Sequence, residues 1–186
     1  MNFKSFCLEK FNFESKPSSS ISWSQIGGEG EQSWRTSFIY DLNSHQILPH
    51  DLTKPTSKDQ DVYYVYGSLI LDPQNPTSSM YSLSKAKKGI IKKEPYWWVD
   101  FESKTHGTET ISSGDSKPRR ALSIFNKVIS LLVDKIDAES NICFTAGKTQ
   151  LTKVSLYTTL AELIARKMGK TFNKVTYQSE VYFLIH

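Results

Sequence analysis

The chain is poor in the residues that would announce a chemistry. Among 186 residues there are two cysteines and four histidines. Cys7 and Cys143 could form at most one bridge, which excludes a disulfide-built scaffold. Cys143 sits in the apolar run Ile142-Cys143-Phe144 with no His or Asp near it in sequence, as expected of a buried, inert thiol. His45, His50, His106 and His186 are scattered, and Pro49 interrupts any helix that could align His45 with His50, so no zinc spacing exists. No apolar run reaches the ~18–20 residues of a membrane helix, and Met1 to Phe13 interleaves charges with aromatics where a signal peptide would carry an apolar core. The expectation is a cytoplasmic protein of the producing or host cell, neither secreted nor membrane-bound. No serine stands in Gly-x-Ser-x-Gly. Gly27-Gly28-Glu29-Gly30 lacks the following Lys-Ser/Thr of a phosphate loop and reads as a turn. There are no repeats and no long low-complexity tract.

What is present is one domain's worth of hydrophobic and aromatic residues, 38% and 12%, enough for a chain of this length to bury roughly 70% of its unfolded surface. Residues 1–20 read as an N-terminal segment: a short amphipathic helix carrying Phe3, Phe6, Cys7 and Phe11, then the Ser-rich linker Pro17 to Ser20. Residues 21–186 read as a single α+β domain. From Ile21 to Phe101, aromatic, β-branched and turn-forming residues predict strands near Ile21–Ile26, Trp34–Asp41, Tyr63–Leu71 and Tyr96–Phe101, with another at Glu109–Ser112. The connecting segments are too short and aperiodic for crossover helices, so these strands should run antiparallel.

At Pro118 the period changes. Ala121, Ile124, Phe125, Val128, Ile129, Leu132 and Ile136 form one helical stripe. The run Asn141 to Thr145 then predicts a buried strand. Val154, Tyr157, Leu160, Ala161, Ile164 and Met168 predict a second helix stopped by Gly169. Lys174–Tyr177 and Val181–Ile185 close the chain as strands.

The formal charge is +4, and its location is informative. Residues 1–100 hold eleven Lys/Arg and eleven Asp/Glu, whereas residues 101–186 hold twelve and eight. The densest point is Lys117, Arg119 and Arg120 at a helix N-terminus, where the macrodipole disfavours cations unless an anion is present. With free N–H groups nearby, these residues could bind an anion or the phosphates of a cofactor. The plainer reading has them extended into water or paired with Asp115 and Glu109. A second basic feature is Lys85, Lys87, Lys88, Lys92 and Lys93, followed by Tyr96, Trp97 and Trp98. Lysines that track phosphates beside stackable rings suit single-stranded nucleic acid or an acidic partner surface, with Trp97 as the exposed ring. Strand alternation sends Trp97 and Trp98 to opposite faces, so one of them belongs to the core.

The order strand, helix, strand, helix, strand over residues 60–186 resembles the GNAT-type N-acetyltransferase fold. In that fold a central strand leads into the helix that receives the cofactor pyrophosphate, a parallel strand follows, and another helix precedes the final strand. The resemblance implies acetyl-CoA as cofactor, a carboxylate base such as Glu109 or Asp100, and a tyrosine acid at Tyr157, which stands in a Leu-Tyr pair on the last helix. It also has a gap. Where the family carries Gly-x-Gly or Gly-x-Ala, this chain reads Lys117-Pro118-Arg119-Arg120-Ala121, and bulky side chains obstruct close approach of a pyrophosphate to the backbone. A looser resemblance is to small proteins of tailed phages, carried by Ala121-Leu122-Ser123-Ile124-Phe125-Asn126-Lys127-Val128 and Leu156-Tyr157. Together these features imply a catalytically degenerate, viral accessory protein with no cofactor, whose partner is another protein. An acyl-CoA-dependent acetyltransferase and a single-strand nucleic-acid binder are the alternatives.

Overall fold

The computed structural model describes residues 21–26, 32–104, 118–137 and 139–186. The expected N-terminal helix, the Gly27–Gly30 turn, Cys7 and the strand at Glu109–Ser112 lie outside them. The described chain is α+β. Its strands are β1 (Ser24–Ile26), β2 (Ser33–Asp41), β3 (Ile47–Pro49), β4 (Gln60–Ile70), β5 (Tyr96–Ser103), β6 (Asn141–Gly147), β7 (Phe172–Tyr177) and β8 (Glu180–Ile185). Its helices are α1 (Tyr81–Ala86), α2 (Pro118–Lys135) and α3 (Leu151–Met168). The strands form one open sheet in the order β1-β2-β4-β5-β6-β8-β7, with β3 also pairing β2.

Every pairing is antiparallel except β5 with β6, which α2 connects as a crossover. Alternation assigns the two faces. Phe38, Tyr40, Tyr63, Val65, Trp97, Val99, Phe101, Ile142, Phe144, Val181 and Phe183 point to the core beneath α2 and α3. The α2 stripe Ile124, Phe125, Val128, Ile129, Leu132 and Ile136 is buried there, and so are Tyr157, Leu160, Ala161 and Ile164 of α3. At about 25 cal/mol per Å² of apolar area, each such aliphatic side chain contributes roughly 1.5–3 kcal/mol. A smaller core on the opposite face joins Met80, Leu83 and Ile91, around α1, to Tyr96, Cys143, Val175 and Leu184. Cys143 is free and fully buried, and burial pushes its thiol well above the usual range.

Local chemistry sets the ends of elements. Asp41 closes the β2–β3 turn by accepting hydrogen bonds from the Asn43 and Ser44 backbone N–H groups, at 3.1 and 2.8 Å, and from the Ser44 hydroxyl at 2.9 Å. These bonds favour the carboxylate and lower its pKa. Gly169, at φ +65, caps α3 in the left-handed region and donates its N–H to the carbonyls of Ala165 and Arg166. Gly67 on β4 lies under Trp97, and a Cβ there would approach the indole to 3.1 Å.

Candidate functional site

Two features of the sheet converge on one cleft. The parallel pair β5–β6 is bridged only at Tyr96–Asn141, Trp97–Ile142 and Trp98–Cys143. Pairing of β5 with β4 continues to Ser103, and that of β6 with β8 to Gly147. Among the described residues, Val99–Ser103 and Phe144–Gly147 therefore have no strand partner on the sides that face each other, and a V opens toward the C-terminal ends of both strands. In open sheets containing parallel strands, ligands favour that end. α3 follows β6 after three residues, near the open end of that strand, whereas the first turn of α2 reaches β4 and β2 through Arg120.

Tyr157 of α3 packs on the core face of the sheet, beside the strands that border the V. Its ring lies 5.3 Å from Phe101 on β5, 5.4 Å from Phe144 on β6 and 5.8 Å from Phe183 on β8. The ring is 4% exposed, and burial, reinforced by the charge of Asp100, raises the phenol pKa strongly, so Tyr157 stays protonated. Lys153, one turn earlier, places its ammonium 5.2 Å from the ring centre. Asp100 precedes Phe101 on β5 and by alternation leaves the sheet on the face away from α3, where its Oδ1 accepts the Phe101 backbone N–H at 2.9 Å. Asp100 is exposed at the surface. Its pKa is raised, by desolvation first and by Glu102, against the opposing pull of Lys153 and the Phe101 N–H. The Asp100 charge acts on Tyr157, although the two side chains belong to opposite faces of β5.

The basic start of α2 is arranged differently from the sequence expectation. Lys117 and Glu109 lie outside the described residues, as does the side chain of Arg119. Arg120 turns inward. Its guanidinium pairs with Asp61, donates to the Tyr63 hydroxyl at 3.0 Å and sits 5.2 Å over the ring of Tyr40. The Asp61 side chain is only 4% exposed. Arg120 thus joins α2 to β4 as a buried, charge-assisted pair. Its partner is 59 residues away, beyond the reach of any local motif.

The basic loop also divides. Lys85, Lys88, Lys92 and Lys93 are exposed, and Lys87 is half-buried. Lys85 and Lys88 border a hollow of about 300 Å³ that includes Gln74, Ser84, Gly89 and Ile91. The rings behind them are not an open platform. Tyr96 is fully buried, with its hydroxyl accepting the Lys92 N–H at 3.2 Å and its pKa pushed up to about 12 by burial. Trp97, expected at the surface, is 6% exposed and packs 4.9 Å from Trp34, because its side of β5 faces α2 and α3. Trp98 is the outward member of the pair, half-buried and edge-on to Tyr182 at 6.1 Å.

A set of residues without any sequence motif meets on β2, where Arg35, Ser37 and His50 line a small polar hollow. Arg35 and Ser37 share a face by alternation, the one signal that could have drawn attention to them. No cluster of His, Cys, Asp or Glu suited to a metal is found among the described residues, and none of their helices is long and apolar enough to cross a membrane. No protein-family model matches the chain, and comparison with curated proteins and with solved structures returns no match.

Proposed function

We propose that this chain is a GNAT-like accessory protein of viral origin that works by binding, through protein or anion contacts, without acyl transfer. Supporting the fold part of the reading, a central strand leads into α2, a parallel strand follows, and α3 precedes the last strands. The observation that carries the binding part is the engagement of Arg120. The one cation of the α2 start with a described side chain is already neutralised by Asp61 and held by Tyr63 and Tyr40. Lys117 and Arg119 stand where close backbone approach would call for glycine. These residues do not fit a pyrophosphate.

Calorimetry with acetyl-CoA tests this. No heat of binding up to millimolar ligand is the expected result. Micromolar binding that is lost in Lys117→Ala/Arg119→Ala would overturn the reading in favour of the acyltransferase.

That second reading has an observation of its own, the raised pKa of Asp100, whose charge acts on the protonated Tyr157. Here Asp100 is the group that would accept a proton from a substrate amine and Tyr157 the group that would return one. It predicts acetylation of polyamine or peptide amines, with a rate that rises with pH and collapses in Asp100→Asn.

A further inference from the structure

The edge of β2 carries a notch with a definite origin. β1 pairs its first part, Ser24 opposite Arg35, and β3 pairs its later part, Pro49 opposite Phe38. The two short strands lie end to end along one edge and leave Thr36 and Ser37 between them. The gap is a cavity of about 90 Å³ lined by Ser22, Ser24, Arg35, Ser37 and His50, among others, with room for several waters. Thr36 turns its hydroxyl to the Ser22 carbonyl at 3.1 Å, tying β1 to the rim.

The polar groups of this notch are biased in sign. Arg35 lies over the Tyr64 ring at 5.3 Å, and among the described residues no carboxylate pairs with it. His50 holds Ser37 through Nδ1 at 2.9 Å and meets the Tyr64 ring edge-on. The charges that act on His50 are Lys104 and Arg35, which disfavour its protonation, and Asp51, which favours it. Burial is the largest influence, and with the cations it lowers the His50 pKa. Asp51 is occupied elsewhere, accepting from the Thr53 hydroxyl at 2.6 Å and pairing with Lys54 at 3.1 Å. The result is a concave, hydroxyl-lined pocket bordered by Arg35 and Lys104, while Glu102, farther along the same face, is engaged by the Tyr66 hydroxyl at 3.0 Å.

We propose that this notch binds a phosphate monoester or inorganic phosphate dianion, held by Arg35 and the Ser37 and His50 side chains and steered by Lys104. Guanidinium and hydroxyl donors suit tetrahedral oxyanions. The site lies on the sheet face away from α2 and α3, separated from the β5–β6 cleft by β4, and it stands whether or not that cleft binds anything. Occupancy favours the imidazolium, so by linkage the bound dianion raises the His50 pKa. A phosphate monoester takes up a proton in the same range, with a second pKa of about 6, so the linkage is read at the His50 ring itself.

The test is an NMR titration of the histidine ring protons with inorganic phosphate and, separately, ribose 5-phosphate, chloride being exchanged to hold ionic strength constant. His50→Gln assigns the resonance. A saturable shift of His50, with its pKa raised, supports the site. Tighter binding of ribose 5-phosphate identifies the monoester as the better ligand, and equal binding identifies the free dianion. Arg35→Gln should weaken affinity at least tenfold and Lys104→Gln severalfold, with unchanged far-UV spectra. Ser37→Ala provides an independent loss where Arg35→Gln does not fold. A linear, unsaturable response, equal shifts at His50 and His186, or an unchanged affinity in Arg35→Gln and Ser37→Ala would overturn the proposal.

Discussion

Single side chains in this protein are governed by whether their charge has a partner. Asp61 and Arg120 are the clearest case, since removing one leaves the other charged and largely out of water. Asp61→Asn should therefore cost about 3 kcal/mol, a loss that urea unfolding would register as a lower midpoint at unchanged slope. Asp100 is the opposite case. A carboxyl whose folded pKa exceeds the ordinary 3.8 opposes folding when ionised, and that cost disappears once both states are protonated. Asp100→Asn should raise the melting temperature at pH 7 by roughly 1–2 °C, the small size reflecting water around the exposed carboxylate, and should have no effect near pH 3. A destabilised Asp100→Asn at pH 7 would contradict this account of Asp100.

At the scale of elements, length decides what a sequence can disclose. α2 and α3 each run 18 residues, long enough for their three-and-four spacing to stand out, and Gly169 marks the stop. β3 and α1 have three and six residues, too few for any period, so they surface only through their neighbours: β3 through its pairing with β2, α1 through the burial of Leu83. The alternation of Trp97 and Trp98 was legible, but which of them faces inward depends on the side of the sheet that receives α2. Arg120 shows the same limit. Its crowding at a helix start was visible, whereas Asp61 comes from β4. The notch on β2 was illegible for a related reason, because Arg35, Ser37 and His50 meet only through the registers of β1 and β3. Where local conformation alone rules, prediction is firm. Gly169→Ala places a Cβ in the left-handed region and should cost about 1 kcal/mol of α3 stability, measurable as a lower thermal midpoint with unchanged helicity at low temperature.

For the whole molecule, the histidines set the acid limb of stability. His50 and His186 both titrate below the ordinary 6.5, with desolvation the leading cause in each, so folding favours their neutral forms. Above about pH 6.5 neither state holds these protons and the stability is complete. As pH falls the unfolded chain takes them up first, and stability declines until the folded values are passed. Urea midpoints between pH 7.5 and 5 should fall steadily, and the double variant His50→Gln/His186→Gln should flatten that slope. The sheet itself is two blocks. The first is the antiparallel run β1 to β5, and the second is β6 with the β7–β8 hairpin. Between them the backbone is bridged at three residue pairs. Side-chain packing beneath α2 and α3 carries the rest of the junction, so the strength of the joint is set by greasy contacts and little by backbone ladders. Mechanically the molecule is a hinge with a short pin. Force or thermal breathing that separates the blocks would first widen the V between β5 and β6 and leave each block's own ladder intact.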